Sequence, residues 1–205
     1  MSWLRRDGPS RRSRDEPAGE PFGEAVERSA PGIGALLDDL RSEGSHAVLD
    51  LGPAVAENFR LYGRFANRIR FVDLLAVRSR RGVRTALRGI PSRPDRPHDL
   101  VFAWDALDRL DSPERPLVME RIVEATAPGA RLHAVFRASD EVRPPPLRFV
   151  LLETGRVRCE PVDRPGAPGP RLLPTEVEEL LRPFEVIRGF TLRGQLREYV
   201  AVRRE

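Results

Sequence analysis

Apolar positions along the chain come in short runs that switch between two periods. Ile33, Leu36, Leu37 and Leu40 recur at helical spacing within GIGALLDDLRSEG, and Gly44 marks the stop, so the first helix is expected there. HAVLDLG (46–52) is a continuous apolar run ended by a turn, the pattern of a strand buried on both faces. Val55, Phe59, Tyr62 and Phe65 return to near-helical spacing over 54–66. RIRFVDLL (68–75) is a second strand that runs into Asp73.

AVRSRRGVRTALRGI (76–90) reads as a basic helix or an irregular segment, and PSRPDRPH (91–98) as a proline-broken loop. DLVFAWDAL (99–107) is another buried strand with a polar exit. DSPERPLVMERIVEATAPG (111–129) is a marked helix: Asp111 or Ser112 caps it, Pro113 starts it, and Pro128 and Gly129 stop it. ARLHAVFRAS (130–139) is the next strand. This alternation of strand and helix predicts a largely parallel sheet with helices on both faces. The end of the chain breaks it. PTEVEELL (174–181) opens with Thr175 and Glu178 at capping-box spacing. FEVIRGFTL, a turn at Arg193 and Gly194, and QLREYVAVRR then predict a terminal antiparallel hairpin.

Two regions fall outside this pattern. Residues 1–23 are rich in Arg, Pro, Gly, Ser and acids, with little to bury, and are expected to form a flexible tail ahead of a single domain over 24–205. Residues of about 139–173 interrupt the domain. There PLRFVLLETGRVRCEPV predicts a hairpin around Thr154 and Gly155, followed by the loop DRPGAPGP. This insert is either a surface excursion or a lid over the carboxyl end of the sheet, where open α/β folds bind ligands.

Composition narrows the chemistry. All 35 basic residues are arginine, a bias that GC-rich coding explains, and 31 acidic residues hold the net charge to +4. Nucleic acid is therefore not an expected partner, although Arg78, Arg80, Arg81 and Arg84 would be the residues to carry RNA methylation. One cysteine, Cys159, excludes an intrachain disulfide, and three scattered histidines predict no metal site. No apolar run reaches the ~18 residues that a membrane helix needs, so a cytoplasmic protein is the expectation.

The order VLDLG, an acid closing the second strand, DLVFAWDALDRL, APGARLHAVF and a final hairpin resembles the class I S-adenosylmethionine-dependent methyltransferases. The similarity covers about residues 33–138 and 174–203. It implies an α/β fold with a Rossmann-like, mostly parallel, seven-stranded sheet and a C-terminal antiparallel hairpin. The cofactor it implies is S-adenosylmethionine, and the partner a small-molecule methyl acceptor. Asp50, Gly52, Ala54, Ala56, Asp73 and Ala103 are the positions implied to hold the donor, Asp73 through the ribose hydroxyls and Asp50 through the amino group. Trp104 and Asp105, at the exit of the third strand, are implied at the transfer site. Glu57, Tyr62 and His133 are further candidates.

The resemblance is divergent at one loop. After Gly52 the family's later glycines are Ala54 and Ala56, with Pro53 between. Proline removes a backbone N–H, and each alanine adds a methyl group. A pyrophosphate site needs several N–H groups on bare backbone, so the loop argues against NAD. The methyl donor carries no phosphate and tolerates the change better. The region of the family's adenine-contacting acid offers only Asp95, in a loop. A non-catalytic descendant that binds a protein partner is the alternative these departures suggest.

Overall fold

The computed structural model describes residues 24–38, 40, 45–141, 145–163 and 169–204. The expected tail over 1–23 and the helix stop at Gly44 lie outside the described residues. The chain opens with β1 (Val26–Ser29), α1 (Pro31–Leu37), β2 (His46–Asp50), α2 (Ala56–Tyr62) and β3 (Ala66–Phe71). Next come α3 (Leu74–Arg81), α4 (Val83–Leu87), β4 (His98–Trp104), α5 (Ala106–Arg109), α6 (Glu114–Ala125) and β5 (Thr126–Arg137). It closes with β6 (Leu147–Glu153), β7 (Arg156–Pro161), α7 (Pro174–Leu180), β8 (Phe184–Leu192) and β9 (Leu196–Arg203).

The larger sheet has six strands in the order β3-β2-β4-β5-β9-β8. The first four are mutually parallel, and β9 runs antiparallel to both neighbours. The expected seventh strand is absent from this sheet among the described residues. The basic stretch, read as a helix or an irregular segment, is helical: it forms most of α3 and all of α4, and Leu74 and Ala86 of these helices are buried in the core. A second sheet, β1-β7-β6, is antiparallel and is built from the insert hairpin and residues ahead of α1. Strand β1 escaped the sequence reading because VERS offers four residues and no apolar run.

Strand alternation divides the core into two halves. Leu49, Val101, Ala103, Leu132 and Ala134 face α3, α4, α6 and α7. Val48, Leu100, Phe102 and Trp104 face α1, α2 and the smaller sheet. The helix signals in the sequence are displaced by short distances. Phe59, expected on the buried face of α2, is 59% exposed, and Asn58, Leu61 and Tyr62 are the buried residues there. Pro113 is the N-cap of α6 rather than its first residue. Pro128 and Gly129 lie inside β5 instead of following the helix, with Gly129 at φ 79°. At α7 the box closes through Glu176, which accepts from the Leu173 N–H at 2.6 Å, rather than through Thr175 and Glu178.

Buried arginines fix the loops around the carboxyl end of β4. Arg137 pairs with Asp108 of α5 at 2.7 Å, both nearly inaccessible, and donates to the Gly169 carbonyl. Arg115 donates to the carbonyls of Leu107 and Asp108. Breaking such a buried pair costs about 3–5 kcal/mol, because the surviving charge has no water. The turn after β4 is thereby held rigidly beside the sheet.

No helix among the described residues is long and apolar enough to cross a membrane. The insert sheet lies against the larger sheet, and Phe149, Leu151, Val157 and Cys159 are buried there. Asn58 clasps it. Its Nδ2 donates to the Phe149 carbonyl at 3.0 Å, and its Oδ1 accepts from the Leu151 N–H at 2.7 Å. Replacing Asn58 by Ala strands both groups in a buried place, so Asn58→Ala is expected to lower the unfolding free energy by about 2–3 kcal/mol. Urea denaturation measures this, and amide exchange at Leu151 should accelerate with it. A loss below about 0.5 kcal/mol would contradict the clasp.

Candidate functional site

Three parallel strands end side by side and present acids at their carboxyl ends: Asp50 on β2, Asp73 after β3 and Asp105 after β4. Asp50 faces the half of the core made by α1, α2 and the insert and is fully buried. Besides a weaker hydrogen-bonding influence from the Asn58 side chain, three close donors surround Asp50. Oδ1 accepts from the Gly52 N–H at 2.8 Å and from the Trp104 indole Nε1–H at 2.6 Å. Oδ2 accepts from the Tyr62 hydroxyl at 2.8 Å. Loss of water raises the Asp50 pKa from 3.8 to about 6, against the opposing pull of these hydrogen bonds. Burial, and next the Asp50 charge, push the Tyr62 phenol well above its ordinary value.

Gly52 is the one family glycine that the altered loop keeps, and its surroundings explain why it stays. A Cβ there would lie 3.1 Å from Asp50 Oδ1 and 3.2 Å from Trp104 Cδ1. The bare backbone is needed to admit the indole. Trp104 itself sits at φ 51°, a left-handed conformation that a bulky residue rarely adopts. Its ring stacks on Phe149 of the insert, with centroids 5.0 Å apart and planes 6° apart, and on Phe102 at 5.3 Å.

Asp73 caps α3, accepting from the Ala76 N–H at 3.2 Å, and borders the same crevice as Gly52 and Trp104. Asp105 also borders it. Burial raises the Asp105 pKa, and the Arg109 ion pair opposes that shift. Arg109 extends from this pair to the Pro145 carbonyl at the foot of the insert.

The other implied positions fall elsewhere. Ala103 points to the opposite face of the sheet, because its neighbours Phe102 and Trp104 take the crevice side. Ala54 and Ala56 are exposed and do not border the crevice. Asp95 lies in the loop before β4, at the amino end of the strand and so away from the site. Glu57 is exposed. Tyr62 is part of the site through Asp50, whereas His133 is buried on β5 and pairs with Glu198 at 2.8 Å. Arg78 bridges α3 to Asp111 and to Glu114, while Arg80, Arg81 and Arg84 are exposed. The sequence reading missed Asn58 and Phe149. Asn58 left one signal, a polar residue on the buried stripe of α2; Phe149 sits in an ordinary strand pattern.

The chemistry and the volume of the crevice disagree about a methyl donor. Acceptor-only carboxylates beside a glycine turn suit a ribose and an amino group. The space left between Gly52, Asp73, Asp105 and the Trp104–Phe149 stack is about 20 Å³, room for one water. Ligand sites of this size class need roughly 300–1,000 Å³. In the conformation described, the crevice that these two rings help to wall is too small for S-adenosylmethionine. Among the described residues, no group of three or more His, Cys, Asp or Glu is placed to hold a metal.

No protein-family model matches the chain, and no curated protein matches it. Solved structures do. An S-adenosylmethionine-dependent methyltransferase from Mesorhizobium loti aligns with TM-score 0.55 and 16% identity, over 84% of this chain and 96% of that one. One from Methanosarcina mazei aligns with TM-score 0.52 and 15% identity, over 83% and 97%. The 1,6-didemethyltoxoflavin-N1-methyltransferase of Burkholderia thailandensis, solved with 1,6-didemethyltoxoflavin and S-adenosylhomocysteine, aligns with TM-score 0.50 and 18% identity, over 85% and 77%. The fold is that of the class I S-adenosylmethionine-dependent methyltransferases, with a six-stranded rather than a seven-stranded main sheet.

The Asp50 shift has a measurable consequence. The folded chain keeps the proton up to about pH 6, and the unfolded chain loses it near 3.8. Between those values the folded state binds more protons, so stability falls as pH rises through the window. Asp50→Asn has no proton to lose, and its amide can still accept from Gly52 and Trp104. The stability of Asp50→Asn relative to the unsubstituted chain should therefore rise by about 2 kcal/mol between about pH 4 and pH 7.5. Urea unfolding at the two pH values measures the difference, and a pH-independent gap would contradict the buried acid.

Proposed function

We propose that the chain is an S-adenosylmethionine-dependent methyltransferase acting on a small-molecule acceptor, and that its donor crevice opens by displacement of the Trp104–Phe149 stack. One observation carries this reading: Gly52, Asp73 and Asp105 converge on a single crevice at the carboxyl ends of parallel strands. That edge is where open α/β sheets bind ligands. The left-handed backbone of Trp104 supports a movable plug, since strain of this kind concentrates at ligand clamps and switches. With the two rings withdrawn, Asp73 would hold the ribose, and Asp50 would regain an acceptor oxygen for the donor's amino group. Bound in this way the donor supplies the methyl group; the chain supplies placement and exclusion of water. The Burkholderia enzyme acts on a small molecule, which accords with the acceptor class proposed here.

A second reading rests on a different feature. Tyr62, Trp104 and Gly52 already satisfy Asp50, and aromatic rings fill the crevice. In that reading the domain keeps the fold, binds no donor and serves as a protein-interaction module.

Isothermal calorimetry separates the two. The enzyme reading expects saturable heat with S-adenosylmethionine and with S-adenosylhomocysteine. Asp73→Ala should weaken that binding by at least about 1.5 kcal/mol, more than tenfold. Phe149→Ala should tighten it about three- to tenfold, because the donor no longer competes with a stacked ring. Absence of heat with both ligands, in the unsubstituted chain and in Phe149→Ala, would leave the interaction module as the surviving reading.

A further inference from the structure

On the far side of the Trp104 ring lies a second small cavity, enclosed between the two sheets. His133 of β5, Cys159 of β7, Phe149 of β6 and Glu198 of β9 border it, as do the Arg28 side chain and otherwise apolar groups. Its volume is about 10 Å³, so it holds a single water at most. Trp104 and Phe149 belong to its wall and to the wall of the crevice at Gly52 and Asp73 alike. The stacked rings are a partition between two spaces.

The polar group on this far side is unusual. His133 is fully buried. Its Nε2 lies 2.8 Å from Glu198 Oε1, and Glu198 Oε2 accepts from the Gly32 N–H at 2.8 Å. In the neutral imidazole, an acceptor facing Nε2 places the single ring proton there and leaves Nδ1 with a lone pair. That Nδ1 is buried and has no hydrogen-bond partner among the described residues. Buried polar atoms of this kind are rare, and an unmade bond costs roughly 1–3 kcal/mol. The surroundings preserve the arrangement. A Cβ on Gly32 would come within 2.9 Å of Glu198 Cδ, so glycine at this position lets the carboxylate reach both donors. Glu198 thus acts on the histidine as a positioning residue. Burial pushes the Cys159 thiol up to about 11, so the neighbouring sulfur stays neutral.

We propose that the space around His133, Trp104 and Phe149 is a binding subsite for a small, largely apolar ring compound carrying one hydroxyl or N–H, whose proton is donated to His133 Nδ1. Apolar walls bury the ring, and the single oriented lone pair selects molecules with a donor over those without. Phe149 forms part of the wall of this space in the conformation described, and the guest displaces its ring. Because the partition also borders the Asp73 crevice, the compound would lie next to the donor site. The proposal rests on the methyltransferase reading for its meaning as an acceptor subsite; the binding itself does not depend on it.

The probe is phenol, with toluene as the ring of similar size that has no donor. Phe149→Ala opens the space, and Phe149→Leu serves if circular dichroism shows the alanine variant unfolded. With histidine labelled with nitrogen-15, the unliganded protein should show His133 protonated at Nε2 and bare at Nδ1. Phenol should bind saturably, move the Nδ1 resonance upfield, and bind at least tenfold more tightly than toluene. Equal binding of the two, saturable binding with Nδ1 unmoved, or no saturable binding in either variant would overturn the subsite and leave a buried water as the partner of Nδ1. Calorimetry with S-adenosylhomocysteine on the same samples keeps the two claims apart. Donor heat without a phenol response removes the subsite alone. A phenol response without donor heat upholds the subsite and removes the methyl-transfer reading.

Discussion

A carboxyl group out of reach of water sets the terms for this site. Asp50 ends the first parallel strand, where a charged group is costly unless it is bonded. The chain meets that cost with three donors from three places: the Gly52 backbone, the Tyr62 hydroxyl on α2 and the Trp104 indole at the end of β4. Each donor draws its element inward. Tyr62 brings α2 against the sheet and stacks on Phe102 at 5.0 Å. Trp104 turns back over Gly52 at a strained φ and exposes its other face to Phe149. The insert is positioned by that stack, by the Asn58 clasp and by Arg109 reaching Pro145. The closed crevice is thus a consequence of satisfying one acid.

The same constraint accounts for the altered loop. A family-type loop keeps glycines so that a ligand can approach bare backbone. Here the backbone at Gly52 is approached by Trp104, while Ala54 and Ala56 are exposed. The substitutions that look damaging in the sequence fall where the structure does not need glycine. The one glycine that remains is the one whose Cβ would strike the indole.

Much of the fold was legible because its signals are local. The strands HAVLDLG, DLVFAWDAL and ARLHAVFRAS are unbroken apolar runs, and Arg193–Gly194 marks the final turn. What could not be read depends on contacts between distant residues. Strand β1 exists because β7 offers it an edge, with Val26 opposite Cys159, and nothing in VERS announces that. The α3–α4 pair was readable only as a basic helix or an irregular segment, because the surrounding arginines obscure the helical period on which Leu74 and Ala86 reach the core. At the site, the three acids and Gly52 were visible as strand-end residues. The bond from Trp104 to Asp50 was not, since it joins positions 54 residues apart. Ala103 was misplaced for a simpler reason: strand neighbours alternate faces, and Trp104 holds the crevice side.

The account therefore turns on whether the Trp104–Phe149 stack yields to the methyl donor. The most direct measurement is the nuclear magnetic resonance signal of the Trp104 indole N–H, assigned with Trp3→Phe, during titration with S-adenosylhomocysteine. The account predicts a saturable shift as the indole leaves Asp50 and Phe149. An indole signal that stays in place at saturating ligand would contradict it.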